Sequence, residues 1–192
     1  MGKWVVPVLV SLWLTGCGEQ EWQTKDISGL MPPLEFTLTD EKGNTVDAER
    51  FRGKSTLLYF GFTHCPDVCP TTLARLGTAI RQLDDEIRED TEVLFVSVDP
   101  ARDDPETLKE YTDAFGSQFV GLTGDKEALD ALTRRYRVTY GYGDKDDNGN
   151  YDVSHSSAVF AFNGQGEARL LIRDSDPMEA VVADLERLAD DA

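Results

Sequence analysis

Apolar residues along this chain gather in short unbroken runs divided by stretches of helical periodicity. "STLLYFGF" (55–62) and "EVLFVSV" (92–98) read as buried central strands. Between them Leu73, Leu76, Ile80, Leu83 and Ile87 recur at three- and four-residue steps, which predicts one helix of about four turns with a single face on the sheet. Pro70 suits the first position of that helix, where a missing N–H costs nothing. Further on, Asp104-Pro105 opens a helix that Gly116 closes, and "DKEALDALTRRY" forms another. "SHSSAVFAF" is a strand, Gly164-Gln165-Gly166 turns into "EARLLI", and Asp176-Pro177 with Glu179 caps a last amphipathic helix to about Leu188. Ahead of the first central strand, "LEFTLTDEKGNTVDAERF" predicts a small hairpin turning at Lys42-Gly43-Asn44.

The order is therefore hairpin, β, α, β, α, α, β, β, α. Strands alternating with helices imply parallel pairing, closed by an antiparallel hairpin and a covering helix. That layout is an α/β, thioredoxin-like fold: a central mixed sheet flanked by helices, with an N-terminal β-hairpin. A length of 192 residues suits one domain with one core. With 19 basic and 36 acidic residues the net charge is −17, a field that repels phosphate backbones and argues against nucleic acid as a partner.

The N-terminus, "MGKWVVPVLVSLWLTGC", has one basic residue, an apolar run from Trp4 to Leu14 and then small residues. It reads as a secretory signal over residues 1–16, and its end is similar to the bacterial lipoprotein box, in which Cys17 carries the lipid. An uncleaved anchor is the alternative, and both place the domain outside the cytoplasm and tie it to a membrane. "GEQEWQTKDISGLMPP" is polar and ends in two prolines, which suggests a flexible tether over residues 17–32 and a folded domain over 33–192.

If Cys17 is acylated, the exported domain holds one cysteine pair, Cys65 and Cys69 in "FGFTHCPDVCP". One pair is too few to staple a scaffold of this size, so it points to chemistry. With Pro70 first in the helix, Cys69 would sit at the N-cap, where unpaired N–H groups and the helix dipole favour the thiolate. Two thiolates suit a soft ion, Cu(I) or zinc, but leave it short of ligands. The chain has two histidines. His64 adjoins Cys65, and neighbouring residues point to opposite sides, which makes joint ligation awkward. His155 opens the strand whose preceding loop faces the cysteine loop in this fold and is the better third ligand. From the residues alone it is equally a loop histidine with no ligand role.

"FGFTHCPDVCP", followed by "VSVDPARD" and "YDVSHSS", strongly resembles the Sco/SenC family over about residues 30–190. The resemblance implies a membrane-tethered, thioredoxin-like copper chaperone serving the dinuclear copper site of cytochrome c oxidase. It makes Cys65, Cys69 and His155 the copper ligands and leaves Cys65 and Cys69 free to interconvert with a disulfide. It also places Asp67 and Asp99 at acidic positions suited to supporting the site or meeting a partner, although solvated loop acids fit them equally. Where the family commonly has Asp before the distal histidine, this chain has Ser154.

Two sulfurs and one nitrogen suit trigonal Cu(I), and admit Cu(II) if another donor joins, whereas zinc usually demands a fourth ligand. The acceptor would be the copper-bearing oxidase subunit or another extracytoplasmic cuproprotein, and the setting the periplasmic face of a bacterial membrane. A rival role is a thiol–disulfide oxidoreductase reducing the acceptor's cysteines. Against it, no proline lies between Pro105 and Pro177, so the proline that such enzymes place opposite their C-x-x-C is missing, with Ser156 near that place. A peroxidase on the same fold would leave Cys69 and His155 without a clear task.

"DKDDNGNYD" matches the start of a calcium loop at Asp144, Asp146, Asn148, Gly149 and Asp152. Position twelve is His155 in place of the required Glu, and the preceding "RVTYGYG" looks extended. A polar turn is the simpler reading.

Overall fold

In chain order the strands are β1 (Lys25–Asp26), β2 (Thr37–Asp40), β3 (Thr45–Asp47), β4 (Ser55–Gly61), β5 (Thr91–Ser97), β6 (Phe119–Thr123), β7 (Tyr140–Tyr142), β8 (Val153–His155), β9 (Val159–Phe162) and β10 (Ala168–Ile172). The helices are α1 (Val68–Ile80), α2 (Asp85–Glu89), α3 (Pro105–Asp113), α4 (Lys126–Arg135) and α5 (Met178–Asp190). The computed structural model describes residues 21–146 and 151–191. The signal expected over 1–16 and the expected lipid attachment at Cys17 lie outside them. Among the described residues no helix is long and apolar enough to cross a membrane.

Eight strands form one sheet in the order β1-β10-β9-β4-β5-β6-β2-β3. β4, β5 and β6 run parallel, while β9, β10, β2 and β3 make it mixed. All seven residues of β4 are buried, because helices cover both faces and a central strand then has no polar side to show. Tyr59 and Phe60 consequently face opposite layers. Phe60, Phe160 and Phe162 receive Tyr136 from the end of α4 on one face. Tyr59 and Phe95 look to the other, where Phe95 meets Tyr111 of α3.

Several elements differ from the sequence expectation, each for a local reason. The predicted four-turn helix is two, since α1 stops at Ile80 and α2 restarts at Asp85. The adjoining Asp84 and Asp85 favour a helix start over a helix interior. β6 falls where no strand was expected, its signal diluted by Gly121 in "FVGLT". A Cβ there would lie 2.8 Å from the Leu108 Cβ, so glycine is what lets α3 pack on the strand. Gly116 does terminate the α3 region, at φ 138°.

The tether boundary also moves. Lys25 and Asp26, expected within the flexible segment, pair with β10. The N–H groups of Gln23 and Thr24 donate to the buried carboxylate of Asp184 on α5 at 2.9 and 2.6 Å, and Ile27 is buried. A polar stretch without periodicity gives no hint of this, because the docking uses main-chain donors.

Candidate metal centre

The cysteine loop is held from beneath by one carboxylate. Asp103 is fully buried and accepts from Thr63 N (2.9 Å), Thr63 Oγ1 (2.6 Å) and Ser97 Oγ (2.6 Å). Val98 N donates to Gly61 O at 2.8 Å, tying the end of β4 to that of β5. From this anchored turn the chain enters α1 at Val68, with Asp67 as an exposed N-cap residue whose side chain makes no capping bond. Cys69 is thus inside the first turn rather than at the N-cap. Its N–H donates to Cys65 Sγ at 3.3 Å, so the two sulfurs share one end of the helix.

His155 arrives on a separate support. The expected strand "SHSSAVFAF" is broken: His155 ends β8, and β9 begins only at Val159. β7 and β8 form a two-stranded ribbon with Tyr140 opposite His155. Arg102 fastens that ribbon to the body: its guanidinium lies 3.8 Å over the Tyr151 ring, donates to Tyr151 O at 3.1 Å and pairs with Asp99. The Tyr151 hydroxyl donates to Asp99 at 2.6 Å, and that of Tyr142 to Val98 O at 2.5 Å. Asp99, fully buried, therefore anchors the histidine's ribbon and makes no bond to a sulfur or to the imidazole.

The result is a cluster in which one donor atom from each of Cys65, Cys69 and His155 lies within 4.8 Å of the others. Cys69 Sγ is 3.2 Å from His155 Nε2. His155 Nδ1 is 3.0 Å from the Ser156 carbonyl, which can only accept, so the ring proton sits on Nδ1 and Nε2 presents its lone pair to the cluster. Burial holds the imidazole below its ordinary pKa of 6.5, which keeps it neutral at pH 7. The expectation of a ready-made thiolate at Cys69 is corrected. Burial pushes its thiol up to about 12, outweighing the main-chain donation at Phe62 that acts the other way. Cys69 is fully buried, and the helix end cannot make up for lost water. The thiol therefore donates to Nε2, and an arriving cation must displace that proton.

His64 stands apart: it is exposed, with Nδ1 3.0 Å from Thr63 Oγ1 and 3.7 Å from Asp103. Ser154 is exposed on the outer side of the ribbon, so the acid it replaces would alter a surface and not the ligand set. Asp144, Asp146 and Asp152 lie between two antiparallel strands, not between helices, while Asn148 and Gly149 fall outside the described residues. With Nε2 turned to Cys69, His155 is not placed to complete a calcium loop. Two residues escaped the sequence reading. Asp103 could have been noticed as an acid beside the "VSVDPARD" motif, and Tyr59 as the one hydroxyl-bearing aromatic in "LLYFGF".

A mixed sheet with a cysteine pair at the start of its first central crossover helix and a histidine returning from the far end of the chain defines a thioredoxin-like domain with a soft-metal site. The SCO1/SenC family model matches residues 31–190, and the chain belongs to that family. It is 41% identical over 133 residues to the mitochondrial protein SCO2 homolog of Mus musculus, covering 69% of this chain and 52% of the relative. The chain thus spans about half the length of that curated relative. Among solved structures, the Bradyrhizobium japonicum ScoI with copper bound superposes with a TM-score of 0.73 at 34% identity, covering 81% of this chain and 98% of the other. The apo Sco1 protein of Thermus thermophilus does so at 0.77 and 37% identity, covering 88% and 98%.

Proposed function

We propose that this protein is a copper metallochaperone in which Cys65, Cys69 and His155 hold one Cu(I) ion and pass it to the dinuclear copper site of cytochrome c oxidase or to another extracytoplasmic cuproprotein. The observation that carries the reading is the convergence of two thiols and a neutral imidazole lone pair within 4.8 Å. Three soft or borderline donors with no carboxylate among them match Cu(I) and are one short of a structural zinc site. Family membership and a copper-bound structural relative support the same ion. Transfer proceeds by ligand exchange: an acceptor thiolate enters, and His155, on its separately anchored ribbon, is the ligand that can leave without unfolding the core.

The protein acts as a lipoprotein, with residues 1–16 the signal and Cys17 the lipid attachment. Five residues separate Cys17 from the docked Gln23, six chain steps with a reach of at most about 22 Å, which keeps the domain close to the outer face of its membrane. Exposed Asp67, in the loop between the two cysteines, would meet a partner's basic group.

A second reading rests on the free state of both cysteines. Cys65 and Cys69 together can surrender two electrons and two protons, forming their own disulfide while reducing an acceptor's, after which no sulfur remains to bind copper. Competitive Cu(I) titration of the reduced protein decides. One equivalent bound by wild type, lost in Cys65→Ala and weakened in His155→Ala, supports the chaperone; disulfide turnover with no Cu(I) bound overturns it in favour of the oxidoreductase.

A further inference from the structure

Directly under the cluster lies a side chain that the copper reading leaves without a task. Tyr59 shares its face of β4 with Gly61, and a Cβ built on Gly61 would stand 2.9 Å from Cys69 Sγ. That face therefore looks straight at the sulfur. The Tyr59 ring meets the His155 imidazole edge-on, with centroids 6.0 Å apart at 72°, so the tyrosine lies against the imidazole on the face that carries the thiol. Its hydroxyl thus lies on the side of the sheet that carries the Cys69 sulfur. Yet among the described residues it is buried and makes no hydrogen bond.

A buried hydroxyl without a partner destabilises the fold and calls for an explanation. Phenylalanine would fill the position at no such cost, as it does at Phe60 and Phe62. Protonation of Cys69 explains the orphan. A neutral thiol is a weak acceptor, and its own hydrogen is directed at His155 Nε2. Once a cation displaces that hydrogen the sulfur becomes an anion, a far stronger acceptor.

We propose that Tyr59 is a positioning residue of the metal centre, its hydroxyl donating a hydrogen bond to the Cys69 sulfur when that sulfur is a metal-bound thiolate. The bond holds the sulfur in place and draws charge from it, which favours Cu(I) over Cu(II). This inference rests on the copper reading above.

The test compares Tyr59→Phe with wild type in the full chain, using Cu(I) titration against a chelator, the absorption spectrum of the Cu(II) form and the melting temperature of the metal-free protein. Wild type binds one Cu(I). The variant, keeping the ring but not the donor, is expected to bind one Cu(I) about 10-fold more weakly. Its sulfur-to-Cu(II) charge-transfer band should move to longer wavelength, and its metal-free form should melt no lower than wild type. Equal affinity within about twofold and an unmoved band, in a wild type that does bind copper, overturn the role of Tyr59 and leave the chaperone standing. A lower melting temperature for the metal-free variant overturns it as well, because the hydroxyl would then be committed to the core. Failure of wild type to bind Cu(I) removes the copper reading itself, and this inference with it.

Discussion

A methyl group added at position 61 tests the site's geometry with the smallest perturbation available. Gly61 is the last residue of β4, and an alanine Cβ there would fall 2.6 Å from Phe95 Cε2 and 2.9 Å from Cys69 Sγ. Ordinary contact begins at 3.4 Å, so the sulfur must retreat by at least about 0.5 Å and the ring by more. Neither has free space, as Cys69 and Phe95 are both fully buried. Overpacking of this kind costs about 1–3 kcal/mol, which for a chain of this length lowers Tm by roughly 3–10 °C. Ligand distances in a metal site tolerate only about 0.2 Å. Gly61→Ala should therefore also weaken Cu(I) binding by at least about tenfold. Gly121→Ala is the control: its Cβ would meet Leu108 at 2.8 Å, a similar clash on β6 away from the sulfurs. Thermal melts followed by circular dichroism and chelator competition for Cu(I) give the two readouts. If Gly61→Ala binds Cu(I) as wild type does while losing the same stability as Gly121→Ala, the sulfur is not where this geometry requires it, and the reasoning fails.

Two further outcomes follow from the supports of the site and the fold. Arg102→Ala removes the stack on Tyr151 and leaves buried Asp99 without its cation, at a cost of about 3 kcal/mol. Because Arg102 acts through the ribbon, it should weaken Cu(I) binding in wild type but not in a His155→Ala background; a double-mutant cycle with equal effects in both would refute that route. Asp40 supplies a pH signature. Burial opposes its ionisation, but the N–H groups of Asn44 and Lys42 and the Arg50 guanidinium more than offset this and hold its carboxyl below the ordinary range. A depressed folded pKa stabilises the protein fully above the unfolded value near pH 4 and ceases to do so as pH falls through the folded value. Asp40→Asn should lower Tm at pH 7, and the gap to wild type should begin to close near pH 4 and go on closing as pH falls through the folded value; a gap that stays constant from pH 7 to well below 3 would contradict the assignment.

What could be read directly from the chain was what local physics settles. An apolar run such as Ser55–Gly61 must be buried on both sides, the spacing of Leu73, Leu76 and Ile80 must put one helix face inward, and the cysteine pair must lie where strand turns to helix. Those patterns act over a few residues, and the mixed sheet, the helix-covered faces and the N-terminal hairpin follow from them. β6 and β1 escaped because their reasons are not local: a glycine that makes room for α3, and main-chain donors that find Asp184 on a helix about 160 residues away.

The site divides in the same way. Which residue types could hold a soft cation was legible, but their protonation was not. Helix position argued for a thiolate at Cys69, and the depth of burial, a sum over the whole packed molecule, reversed it. Only the folded chain could bring His155 to 3.2 Å from a sulfur 86 residues earlier. It alone turned the imidazole's lone pair inward through Ser156, made Asp99 a ribbon anchor rather than a neighbour of the ligands, and set the Tyr59 hydroxyl beneath them. The sequence determined the chemistry available at each position; distance and dielectric, which arise only when remote segments exclude water together, decided which of it is used.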